Sequence, residues 1–83
     1  MKFENANVLI TGGASGIGKI MGRMALEKGA RTFIIWDINI TNIEAVRREL
    51  ASLGKVKGYA VDVSKPAMVA LAYRKTISDC GNI

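Results

Sequence analysis

Short apolar runs rich in β-prone residues alternate along this chain with longer stretches whose apolar positions recur at helical spacing. Residues 8–11, 32–36 and 57–61 read as strands. Ile17, Ile20, Met21 and Met24 fall on one face of a predicted helix over residues 17–28, which Gly29 would cap. Gly22 follows one turn after Gly18, where a missing side chain allows close approach to a sheet. Thr41-Asn-Ile-Glu44 has the form of a capping box and predicts the start of a second helix. Its apolar positions are Ile43, Val46, Leu50 and Leu53, and Gly54 is its expected end. A third helix is expected from Ser64, with Pro66 in its first turn, where the missing N–H costs nothing. It carries Met68, Val69, Leu71 and Ala72 toward Ile77 and ends near Cys80-Gly81. Strands and helices alternating at this spacing predict an α/β, Rossmann-type fold. Its parallel sheet has right-handed crossovers and strand order 3-2-1.

The join between the first strand and first helix carries the chemistry. Residues 8–18 read Val-Leu-Ile-Thr-Gly-Gly-Ala-Ser-Gly-Ile-Gly. A strand feeding a glycine-punctuated turn that opens a helix suits a phosphate group. Glycines let the backbone approach it, and the helix N-terminus offers unpaired N–H groups and partial positive charge. The Gly-x-Gly-x-x-Gly fingerprint would need glycine at position 21, which is Met21. Gly13-x-x-x-x-Gly18-Lys19 meets the opening of a P-loop, but Ile20 stands where a magnesium-binding hydroxyl is required. Asp37 closes the second apolar run about 20 residues beyond Gly18, where a dinucleotide fold places an acid for the ribose hydroxyls. Such a carboxylate repels the extra phosphate of NADP, and neither Ser15 nor Ile38 supplies a basic partner, so NAD is favoured over NADP. Asp62 ends the third run; there it could face a ligand or simply precede a helix capped by Ser64.

Thr11-Gly12-x-x-x-Gly16-x-Gly18, Asp37 ending the second run and Asp62-Val63 ending the third resemble, in this order and across the whole chain, the short-chain dehydrogenase/reductase family in its "classical" branch. The resemblance implies that the turn containing Gly12, Ser15, Gly16, Ile17 and Gly18 wraps the pyrophosphate and ribose. It implies that Asp62 faces the adenine amino group with the Val63 backbone beside it. Ile17 is equally well explained as the first core contact of its helix.

The same resemblance implies a parent enzyme that moves a hydride between NAD(H) and an alcohol or ketone, and a homo-oligomer, as family members form dimers or tetramers. Residues 1–83 would be the N-terminal part of its NAD(P)-binding domain. The family's Asn-Asn-Ala-Gly run, catalytic Ser and Tyr-x-x-x-Lys pair have no counterpart: Tyr59 is followed four positions on by Val63, and Tyr73 by Ile77. No catalytic residue is assigned, and the chain alone is expected to be inactive. The alternative is a complete, stand-alone nucleotide-binding or interaction module without chemistry. The run from Phe33 to Asn39 is similar to one in retinol and 17β-hydroxysteroid dehydrogenases, but a buried strand using Trp36 accounts for it.

Eighty-three residues make one small domain, able to bury only about 60% of the surface its unfolded chain exposes. No histidine is present, which removes the commonest acid/base and metal-binding side chain, and a single cysteine leaves no Cys/His zinc site. The net charge of +5 comes from scattered Lys and Arg on expected helix faces, without basic–aromatic interleaving, so solvated surface rather than nucleic-acid binding explains it. No run reaches the ~18 apolar residues of a membrane span. With one unpaired Cys80, the expected compartment is the cytoplasm.

Overall fold

A computed structural model describes residues 3–83 and orders them as β1 (Asn7–Thr11), α1 (Gly16–Glu27), β2 (Thr32–Asp37), α2 (Ile40–Leu50), β3 (Lys55–Ala60) and α3 (Pro66–Cys80). The strands form a parallel sheet in the order β1-β2-β3, with Leu9 opposite Ile34 and Ile34 opposite Lys57. This is the three-strand, three-helix Rossmann arrangement anticipated from the sequence.

Strand β2 is central and buried on both faces, so its alternating residues feed two cores. Phe33 and Ile35 meet Leu26, Ile43, Val46, Leu50 and Val56 on the side of α1 and α2. Ile34 and Trp36 meet Val61, Ala72 and Cys80 on the side of α3. The indole N–H of Trp36 donates to Thr76 Oγ1 at 3.1 Å, which lets α3 lie against the sheet without leaving a buried donor unpaired. At the far end, Asn7 Nδ2 donates to the carbonyls of Cys80 (2.9 Å) and Asn82 (2.7 Å), pinning the end of α3 to the start of β1.

Four expectations need correction. The face of α1 carrying Ile17, Ile20, Met21 and Met24 is exposed; Gly22, Ala25 and Leu26 face the sheet instead. The cause is proximity. A Cβ at Gly22 would run into the Phe33 ring, and one at Gly18 into the Gly12 carbonyl, so large residues have no room on that side. Helix α2 is capped two residues earlier than the Thr41 pattern implies: Asn39 Oδ1 accepts from the Asn42 N–H at 3.0 Å, and the helix ends at Leu50, with Gly54 beyond a short turn. Strand β3 begins at Lys55 and ends at Ala60, two positions earlier than expected at its start. Lys65, not Ser64, is the residue preceding α3. The buried positions of that helix are Ala72, Thr76 and Cys80, while Met68 and Leu71 stay exposed.

Candidate functional site

The carboxyl ends of all three strands open into one cleft of about 430 Å³, lined by Thr11, Gly12, Ser15, Trp36, Asp37, Ile38, Val61, Asp62 and Val63. Parallel sheets place ligands at this end, because the loops there carry free amides and helix N-termini. One side of the cleft is the turn between β1 and α1. Gly12 takes φ +70° and Gly16 φ +42°, left-handed conformations that side chains disfavour, and a Cβ built at either would meet nothing within 4 Å. These two glycines leave open space toward solvent, whereas Gly18 is required for the turn to close on the helix.

Ser15 precedes α1 in an extended conformation (φ −138°), and its hydroxyl points back to the Gly12 carbonyl at 3.4 Å. The first bond into the helix runs from the Lys19 N–H to the Ser15 carbonyl (3.3 Å). The amides of Gly16, Ile17 and Gly18 therefore precede the intrahelical ladder, the usual condition of a helix's first turn. No acidic side chain occupies that turn to neutralise its partial positive charge.

The opposite side is built by the ends of β2 and β3. Asp37 is held on both oxygens: Oδ2 accepts from the Ala14 N–H (3.2 Å) and Oδ1 from the Asn39 N–H (3.0 Å). Asp62 Oδ1 accepts from both the Ser64 hydroxyl (2.6 Å) and the Ser64 N–H (3.0 Å). These two bonds, the hydroxyl's first, hold the Asp62 carboxyl below the ordinary carboxylate range. Ser64 thus serves the acid rather than capping α3.

Gly12, Ser15, Asp37, Asp62 and Val63 come together in the cleft. Gly16, Ile17 and Gly18 do not line it but form the adjoining helix terminus. Ile17 is 76% exposed, so it is not the core contact that the apolar pattern allowed. Ile38, Trp36, Val61 and Thr11 line the cleft and were not singled out as site residues. Ile38 was legible only as a non-basic neighbour of Asp37, yet it stands 71% exposed and faces the same cleft as Val63. Tyr59 and Tyr73 lie outside the cleft. Burial, and then a 2.6 Å bond to Asp79, push the Tyr59 hydroxyl pKa upward, which keeps it protonated. Among the described residues no cluster of His, Cys, Asp and Glu could hold a metal ion, and no helix is long and apolar enough to cross a membrane.

The family described as short chain dehydrogenase matches residues 6–83. The chain belongs to this family. It is 34% identical to the 3-oxoacyl-(acyl-carrier-protein) reductase FabG of Thermotoga maritima, over 100% of this chain and 34% of that protein. Its fold superimposes on an NAD+-bound xylitol dehydrogenase with a TM-score of 0.93 at 23% identity, covering 100% of this chain and 32% of that one. A metagenomic short-chain oxidoreductase in complex with NADP gives a TM-score of 0.85 at 25% identity, covering 96% of this chain and 36% of that one. The short-chain dehydrogenase chain therefore spans about a third of the length of the proteins it matches. Structural neighbours carrying NAD+ and NADP both occur.

Proposed function

We propose that residues 1–83 form the N-terminal part of an NAD(P)-binding domain and hold the adenosine and diphosphate half of NAD. In the longer relatives' plan, the parent protein passes a hydride between this cofactor and an alcohol or ketone. The observation that carries this reading is one cleft that gathers Gly12 and Ser15 of the glycine turn with two carboxylates from neighbouring strand ends, beside the N-terminus of α1. The cleft's volume suits part of a dinucleotide, since small-molecule sites range from about 300 to 1,000 Å³. Its donors and acceptors also suit the group's chemistry.

In this reading the amides of Gly16, Ile17 and Gly18 donate to diphosphate oxygens, helped by the positive end of α1. Gly12 and Gly16 keep side chains out of the diphosphate's path, with Ser15 beside it. Asp37 accepts the adenosine ribose hydroxyls with the lone pairs that its two amide bonds leave free. Asp62, oriented by its two bonds from Ser64, would accept from the adenine amino group beside the Val63 backbone, with the apolar surface of Ile38 and Val63 available to the purine. When bound, the cofactor supplies the hydride chemistry, and these residues only bind and orient it. NAD is favoured over NADP because the Asp37 carboxylate would repel a 2′-phosphate and Ile38 offers no counter-charge. The cytoplasm suits a chain whose only cysteine, Cys80, is an unpaired thiol.

Calorimetric titration of the chain with NAD+ and NADP+, followed by amide NMR, tests this. NAD+ should bind more tightly than NADP+ and shift the amides of residues 12–18, 37–38 and 62–63. Absence of NAD+ binding, or shifts confined to other residues, would overturn the reading.

A further inference from the structure

We propose that Asp37 is also a positioning residue for the glycine turn: its carboxylate is the strut that holds the turn in the shape a diphosphate needs. Cofactor choice and diphosphate binding are then coupled through one side chain. This inference rests on the nucleotide reading above and extends it.

The turn is tied to the end of β2 at two points. The Gly12 N–H donates to the Trp36 carbonyl at 2.7 Å, continuing the sheet ladder by one residue. Two residues on, the Ala14 N–H donates to Asp37 Oδ2 at 3.2 Å, and this second tie depends on a side chain. The other oxygen, Oδ1, is fixed by the Asn39 N–H at the mouth of α2. One carboxylate thus bridges the backbone of two loops. Ala14 is itself buried in the same core as Phe33 and Ile35, so the tie joins a packed residue of the turn to the end of β2.

The segment that needs holding is conformationally free by composition. Gly12 and Gly16 bracket Ala14, both sit at positive φ, and neither has a neighbour within 4 Å of its would-be Cβ. Glycines populate many backbone states almost equally, so a turn built on them keeps one shape only if something ties it. Pre-organisation of this kind strengthens binding by removing the ordering cost from the binding step. The Ala14 amide is spent on Asp37, and the amides left for a ligand are those further along, at Gly16, Ile17 and Gly18. Releasing Ala14 would let its N–H reorient and the glycines on either side of it move.

Electrostatics and the strut predict opposite signs. A carboxylate near a diphosphate repels it, so if Asp37 acted at the ribose alone, removing its charge would leave diphosphate affinity equal or raise it. If Asp37 is the strut, removing it weakens diphosphate binding although repulsion has also gone. Inorganic pyrophosphate, which has no ribose, separates the two roles.

The experiment titrates the parent chain, Asp37→Ala and Asp37→Asn with pyrophosphate and NAD+, and follows the Ala14 amide by NMR. Asp37→Asn retains an oxygen acceptor for only one of the two amides and serves as the milder variant should Asp37→Ala fold poorly. The expected result is pyrophosphate affinity about tenfold weaker in Asp37→Ala, the effect of losing one charge-assisted hydrogen bond. Asp37→Asn should lie between the two, and the Ala14 amide should exchange faster with solvent in both. Unchanged or tighter pyrophosphate binding with an unchanged Ala14 amide, alongside weakened NAD+ binding, would overturn the strut and leave the nucleotide reading standing. A parent chain that binds neither ligand would overturn both.

Discussion

Asp62 shows how a single neighbouring residue sets the state of a site group. Both Ser64 bonds go to Oδ1, and both favour the ionised carboxylate, so its pKa is lowered. A group whose folded pKa is depressed adds stability above its unfolded pKa, near 3.9 for Asp, and that contribution fades as pH falls through the lower folded value. Ser64→Ala removes the hydroxyl donor and keeps the backbone one. Its Asp62 carboxyl carbon should therefore titrate at higher pH in NMR, nearer the ordinary value. The acid limb of its stability curve should also be shallower than the parent's below about pH 4. An unchanged titration midpoint would mean that Ser64 N–H alone holds the acid. The identity of this residue was readable as a polar position after a strand; its partner was not. In sequence Ser64 looks like a helix cap, and only the chain path, which starts α3 at Pro66 and turns Ser64 back on Asp62, assigns it to the acid.

At the scale of elements, strand and helix identity were legible because the apolar runs are short, β-rich and separated by helical periods. The buried face of α1 was not. Hydrophobic spacing pointed to Ile17, Ile20, Met21 and Met24, but the helix lies too close to the sheet for such side chains, and a row of Gly18, Gly22 and Ala25 forms the contact. Periodicity counts apolar residues, and glycine, which makes the close packing, adds nothing to that count. Gly22 alone signalled the close approach. Gly22→Ala tests the point because two effects oppose each other. Alanine should gain about 1 kcal/mol in helix propensity. Its methyl would collide with Phe33, which is fully buried in a packed core, and overpacking of this kind costs about 1–3 kcal/mol. Packing should win, lowering the urea midpoint of Gly22→Ala, and a smaller side chain in Phe33→Leu should recover part of the loss in the double variant. A midpoint above the parent's would show that α1 stands farther from the sheet than described.

The whole molecule is compact yet lopsided. Its radius of gyration of 11.7 Å matches the roughly 12 Å expected for a compact domain of this length. Its accessible surface is 5213 Å², against about 4,800 Å² for a closed monomer of its mass. The excess is modest, and the two sheet edges differ in character. Strand β3 carries Lys55 and Lys57, charges that discourage pairing with another strand. Strand β1 is Asn-Val-Leu-Ile-Thr, with no charge at all. Since the Ala6 carbonyl and Gly12 N–H bond toward β2, the alternate residues Asn7, Leu9 and Thr11 direct their backbone groups to the open edge. Exposed Ile17, Met21 and Met24 add apolar surface on α1. An uncharged edge and an apolar flank favour association. Sedimentation of the 83-residue chain should therefore show concentration-dependent association at about 100 μM, within the range where such edges aggregate. The double variant Met21→Glu/Met24→Lys should reduce that association while changing unfolding free energy by no more than about 0.5 kcal/mol, because both side chains are exposed. A chain that stays monomeric across this range would show that the edge of β1 is protected without charge. If the double variant associated as strongly as the parent, the strand edge alone would be the contact and α1 would lie outside it.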